Sequence, residues 1–127
     1  NLADQNRKLD EAERLIRRAI EIEADDRARA GEPNVDHAPY LDSLGWVLFR
    51  KGRFAEAREQ LEKAAALPDG ANDPTVWDHL GDVAFRQGDA KRAKEAWTIA
   101  ERQYATTHVG REGGRRDEAS RKIKQVE

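Results

Sequence analysis

Leu41-Asp42-Ser43-Leu44-Gly45-Trp46-Val47-Leu48-Phe49-Arg50-Lys51-Gly52 decides the fold, because the chain writes it again as Trp77-Asp78-His79-Leu80-Gly81-Asp82-Val83-Ala84-Phe85-Arg86-Gln87-Gly88. Over 41–64 and 77–100, an offset of 36 residues, ten of 24 positions are identical: 42/78, 44/80, 45/81, 47/83, 49/85, 50/86, 52/88, 57/93, 59/95 and 64/100. Self-similarity at this period marks a stacked array, in which each unit buries its apolar face against its neighbours. Such arrays commonly serve as binding surfaces.

Each unit reads as a helical hairpin. Pro39 can occupy a first helical turn, where its missing N–H costs nothing. Leu41, Leu44, Val47 and Leu48 recur at helical spacing, and Gly52 supplies the cap. Ala57, Leu61 and Ala64 mark the second helix, which Pro68-Asp69-Gly70 stops. The second unit repeats each device. Asp73 is the N-cap and Pro74 the first helical residue. Trp77, Leu80, Val83 and Ala84 form the first stripe, Gly88 the turn, and Ala93, Trp97 and Ala100 the second stripe. Small residues at Gly45, Gly81, Ala57 and Ala93 let paired helices approach closely, and a large side chain there overpacks the contact.

Length and composition fit one domain: 127 residues, 38% hydrophobic and 38% charged. Both charge signs are interspersed, as in Glu13–Arg17 and Glu59–Lys63 at i, i+4, which is the pattern of solvated helix faces. The net charge of −2 gives no electrostatic case for nucleic acid. Absence of cysteine excludes disulfide and thiol chemistry within this sequence. No apolar run approaches the roughly 20 residues that span a bilayer, so no membrane insertion by this segment is expected.

The spacing Leu44-Gly45, Gly52, Ala57, Leu61, Ala64 resembles the tetratricopeptide repeat. So does Trp77, Leu80-Gly81, Gly88, Ala93, Trp97, Ala100. The resemblance departs in two respects. The family's usual aromatic is Leu48 in one copy and Ala84 in the other, and the interval of 36 exceeds the family's 34 through extra residues at 68–73. The fold it implies is all-α: a right-handed α-solenoid of helix-turn-helix hairpins with a C-terminal capping helix.

Upstream, Leu9, Ala12, Ile16 and Ala19 match a second helix of the motif, with Leu2-Ala3 as the tail of a mostly missing first helix. The chain thus reads as the C-terminal piece of a longer array, with a bacterial cast. The expected organisation is a single domain with a partial repeat at 1–24, a long connection at 25–37, repeats at 38–69 and 74–105, a link at 106–114 and a helix at 115–127. The first helix is expected to overrun the connection until Pro33. The polar, glycine-containing link reads as flexible. The last helix carries Ala119, Ile123 and Val126 along one side. It reads as a cap over the final apolar face, the competing reading being a helix that docks in a neighbouring chain's groove.

In the family, the first helix of each repeat lines a concave groove. The resemblance assigns that surface to Asp42, Trp46, Phe49 and Arg50 in one repeat, and to Asp78, Asp82, Phe85 and Arg86 in the next, with His79 beside them. Asp42, Trp46 and Arg50 stand at i, i+4, i+8, as do Asp78, Asp82 and Arg86, so each set follows one helix face. The three aspartates with the exposed aromatics suit a peptide or protein partner that is basic with an apolar anchor. The alternative is that Asp82 and Arg86 pair on a wet helix face and the phenylalanines pack between repeats. Carboxylate-clamp members of the family use Lys and Asn at these positions, so a partner ending in acidic residues is disfavoured here, with Arg50 and Arg86 as the counter-indication. Trp46 stands where the family is often polar, and is singled out for a partner or self-association contact.

No catalytic constellation accompanies these residues. Asp78 and Asp82 form a carboxylate pair one turn apart, but no Ser, Cys or His arrangement surrounds them. Gly110, Gly113 and Gly114 lack a following P-loop Lys-Ser/Thr. His37, His79 and His108 have no second ligand at metal-type spacing. The expectation is a non-catalytic interaction scaffold without metal or cofactor. Its alternative is a self-assembly module, a homo-oligomer formed because the Leu9–Ile22 helix lacks a covering layer.

Overall fold

The computed structural model of the protein describes residues 1–107 and 114–127. Among these there are seven helices and no strand: α1 (Leu2–Arg29), α2 (Ala38–Arg50), α3 (Phe54–Ala66), α4 (Pro68–Ala71), α5 (Pro74–Arg86), α6 (Ala90–Thr106) and α7 (Arg115–Gln125). They form an all-α solenoid. The expected link at 106–114 falls mostly on residues 108–113, outside the described residues, and its first residue, Thr106, is the last of α6.

The two hairpins, α2–α3 and α5–α6, close by one device. In the first, Arg53 N–H donates to Leu48 O at 2.9 Å and Gly52 N–H to Phe49 O at 2.9 Å. In the second, Asp89 N–H donates to Ala84 O at 2.9 Å and Gly88 N–H to Phe85 O at 3.0 Å. This pair of hydrogen bonds around a left-handed residue satisfies two of the last carbonyls of the helix. It needs φ near +81° at Gly52 and Gly88, a value that a Cβ penalises. Asp73 caps α5 by accepting from Thr75 N–H at 2.9 Å, and Asp89 caps α6 through Arg92 N–H at 3.1 Å.

Within each hairpin the small residues do what their spacing predicts. A Cβ on Gly45 would lie 2.6 Å from Leu61 Cγ, and one on Gly81 would lie 2.2 Å from Trp97 Cδ1. The paired helices therefore touch backbone against side chain. The core runs through Leu41, Leu44, Leu48, Ala57, Leu61, Ala64, Val76, Leu80 and Val83, continuously across the repeat boundary. Trp97 is buried, whereas Trp77 is only partly so and donates its indole N–H to Ala71 O at 2.9 Å. The two extra residues of the repeat interval are accommodated at α4, whose Gly70 is packed against Ala64 O. On the outer side Arg92 reaches Glu62 at 2.6 Å and Arg58 reaches Asp89 at 2.9 Å, lacing α3 to α6.

α1 differs from its expected form. It is one unbroken helix from Leu2, capped by the Asn1 side chain, so Leu2-Ala3 is its first turn and not the tail of a preceding helix. Nothing between Ala3 and Leu9 is Gly or Pro, and the turn that would have separated two helices is missing. The helix overruns 24 as expected but stops before Gly31, which has φ +72°, and not at Pro33.

α1 has no fully buried residue. Ile16 and Ile20 pack partly on the core, and ions supply the rest. Glu13 sits at the centre, 2.7 Å from Lys51, 2.9 Å from Arg53 and 2.8 Å from Arg17. The Lys51 hydrogen bond, with the other cations outweighing burial, holds the Glu13 carboxyl down at about 2. A depressed carboxyl contributes stability above its unfolded value of 4.5 that is lost as pH falls toward about 2. Amides of α1 are thus expected to lose hydrogen-exchange protection relative to those of α3 between pH 6 and pH 3, and at neutral pH in Glu13→Gln. Equal protection of α1 and α3 throughout would show that the cluster does not hold α1.

α7 is the cap. It lies on α6 and buries Ala119 and Ile123, Ile123 against Trp97, Ala84 and Ala93, and Ala119 beside Tyr104 and Ala100. No helix among the described residues is long and apolar enough to cross a membrane.

Candidate functional site

The surface that the repeat resemblance assigns to a groove belongs to α2 and α5, which carry their matching residues 36 positions apart. Most of the residues named from the sequence lie near one another, Arg50 apart, and the three aspartates already have partners within the chain.

Asp42 on α2 meets His79 on α5, Oδ1 to Nδ1 2.8 Å. Trp46 stacks on the same imidazole, centroids 4.1 Å apart and planes at 18°. One histidine thereby links the two repeats through a hydrogen bond and a ring face. Trp46 is half-buried in this stack and also touches Phe49 at 5.2 Å.

Asp78 and Asp82 do not pair with Arg86. Both face Lys122 of α7, whose Nζ lies 3.0 Å from Asp78 and 2.9 Å from Asp82, with Glu118 at 3.7 Å. Asp78 also accepts the Tyr104 hydroxyl at 3.0 Å, and Asp82 the Trp97 indole N–H at 3.1 Å. Burial pushes the Asp82 carboxyl up against the opposing pull of Lys122. Burial also opposes the Lys122 ammonium, but attraction to Asp78 and Asp82 outweighs it and leaves this group well above its usual value. One ammonium shared by two carboxylates gains more than either carboxylate does, because the carboxylates also repel each other. The Tyr104 phenol is pushed up to about 12 by burial and the neighbouring Asp78 charge, so it remains a neutral donor.

What stays open is aromatic and cationic. Phe85 is 43% exposed, and its ring lies 5.6 Å from that of Trp97. Phe49 is half-buried, 5.5 Å from Phe54. Arg86 places its guanidinium 5.0 Å from the Phe54 centroid and 5.9 Å from that of Phe49. A cleft of about 180 Å³ runs between these groups, lined by Phe49, Asp82, Phe85, Arg86, Trp97, Lys122 and Gln125. Arg50 is exposed in the last turn of α2.

The sequence reading did not place Lys122, Tyr104 or the Trp97 indole in the site. A signal for Lys122 exists: Ala119, Lys122, Ile123 and Val126 stand at i, i+3, i+4, i+7, so the lysine shares the buried stripe of α7. His37 lies outside the groove, stacked edge-on against Tyr40 at 4.6 Å, and His108 is outside the described residues.

Residues 38–67 match the family model of the tetratricopeptide repeat. No curated protein matches the chain. Among solved structures, PcrH in complex with the chaperone binding region of PopD superposes with a TM-score of 0.72 at 19% identity, over 96% of this chain and 80% of that one. PcrH from Pseudomonas aeruginosa gives a TM-score of 0.65 at 18% identity, over 94% and 91%. At these identities the likeness is one of fold. One hairpin is thus matched by the tetratricopeptide-repeat model, and the next repeats its glycine cap, its close glycine contact and its buried stripe.

Proposed function

We propose that the chain is a non-catalytic protein-interaction scaffold that holds a peptide or protein segment in the concave groove of α2 and α5. The observation that carries this reading is Phe85, a large apolar side chain left 43% exposed at the cleft between repeats. An aromatic in a cleft that a ligand can desolvate is the usual form of a binding hot spot. The similar fold of PcrH, described with the chaperone binding region of PopD, supports the same use of the architecture. The basic segment with an apolar anchor expected from Asp42, Asp78 and Asp82 has the chemistry of α7 itself, which offers Lys122 and Ile123.

Short labelled peptides with a Phe-Leu core and neutral or charged flanks test the proposal by fluorescence anisotropy. At least one is expected to bind saturably, and Phe85→Ala to weaken it about tenfold. Saturable binding indifferent to Phe85→Ala would move the site off the groove, and absence of binding by every peptide would remove the reading.

Self-assembly is favoured as a second reading by α1, where Leu15 and Ile22 are 61% and 45% exposed at i, i+7. Light scattering on the same samples decides it. A dimer that Leu15→Glu with Ile22→Glu converts to monomer supports it, and a wild-type monomer at high concentration ends it.

A further inference from the structure

Each carboxylate that the groove presents has a partner of its own. Asp42 has His79, Asp78 has Tyr104 and Lys122, and Asp82 has Lys122 and the Trp97 indole. A basic ligand reaches Asp78 and Asp82 in the same way only by displacing Lys122. With Glu118 beside that ammonium the cluster holds more carboxylates than cations, but Asp78 and Asp82 are held by the chain's own donors.

The arginines are in the opposite condition. Arg50 and Arg86 are exposed and form no ion pair among the described residues; Arg86 is seated over the Phe54 and Phe49 rings. They occupy the same position in successive repeats, each following a phenylalanine: Phe49-Arg50 and Phe85-Arg86. The open strip is thus an apolar step and a free cation, written twice.

We propose that this strip recognises an acidic peptide segment with an apolar anchor. The anchor enters the cleft at Phe49, Phe85 and Trp97, and flanking carboxylates meet Arg50 and Arg86. A guanidinium already seated on aromatic rings gives up little freedom when a carboxylate joins it, and its fork of donors suits carboxylate geometry. This inference rests on the groove-binding reading above and specifies the chemistry of its partner. It reverses the charge preference expected from the aspartates. A basic residue in the last turn of a helix also offsets the helix dipole. That role alone predicts a loss of stability in Arg50→Gln without a loss of binding.

The test uses the full chain and two labelled peptides that share a Phe-Leu core, one flanked by Glu and one by Lys. The Glu-flanked peptide is expected to bind about tenfold tighter at low salt, with a preference that shrinks as salt rises. Arg50→Gln and Arg86→Gln should each weaken it about threefold, with unchanged thermal unfolding for Arg50→Gln and partial retention of binding in Arg86→Lys. Equal or tighter binding of the Lys-flanked peptide overturns the inference while leaving the groove intact. So does a double Arg→Gln variant that binds the Glu-flanked peptide as the wild type does. If neither peptide binds, the groove reading falls with it.

Discussion

Trp97→Ala is expected to destabilise the fold by about 3–5 kcal/mol, the range for truncating a large buried aromatic. The residue is 2% exposed. It is enclosed by Ala84, Ala93 and Ile123, and its ring stands against Gly81, so α5, α6 and α7 all lose contacts at once. Its neighbours are mostly small and cannot collapse into the space. The indole N–H also leaves Asp82 without one donor. For a chain of this size the loss corresponds to roughly 10–20 °C in the unfolding midpoint. Trp97→Phe should recover a large part of it, since the ring returns and only the donor and some volume are missing. Denaturant unfolding of the two variants provides the check. A loss below about 1 kcal/mol for Trp97→Ala would mean that α5, α6 and α7 do not share one core.

Lys122→Met is expected to cost about 2 kcal/mol at neutral pH, less than a fully buried pair because the site keeps some solvent. Methionine retains the apolar stem and removes the charge. Asp78 and Asp82 are then left 12% and 20% exposed in their side chains, facing each other with no ammonium between them. The pH dependence has a definite sign. Burial has already raised the Asp82 carboxyl above its unfolded value of 3.8, so its ionised form weighs against folding at neutral pH. That cost disappears as pH falls and the carboxyl takes a proton, and it is larger without Lys122. The gap between wild type and Lys122→Met should therefore narrow from pH 7 toward pH 4. At the alkaline end, the raised ammonium holds its contribution below the unfolded lysine value of 10.5 and loses it only as pH rises through the higher folded value. Adding Asp78→Asn and Asp82→Asn to Lys122→Met should return much of the stability, since no unpaired charge then remains. A gap that stays constant from pH 7 to pH 4 would rule out the two carboxylates as its source.

Both predictions meet at one place, and only half of that place was legible in the sequence. Trp97 could be read as core from its spacing with Ala93 and Ala100, because a helical stripe reports burial directly. That its indole also holds Asp82 depends on how α6 lies on α5. Asp78 and Asp82 could be placed on one face of α5, but their partner is 44 and 40 residues downstream, on a helix whose position no local pattern specifies. His79 illustrates the same limit. No local pattern names a partner for this lone histidine, whereas stacking of one repeat on the next places it under Trp46 and against Asp42.

The sequence by itself determined the hairpins, their order and their caps. Those properties arise from interactions over a few residues, the reach of a helical stripe, a proline in the first turn and a glycine in the left-handed region. The duplicated pattern also determined the stacking, since each apolar stripe needs the next one to cover it. Tertiary structure alone decided which groove charges remain free. Ion pairs are chosen by distances between helices far apart in the chain, and the same aspartate is a ligand site when open and a structural anchor when a lysine from the cap arrives first.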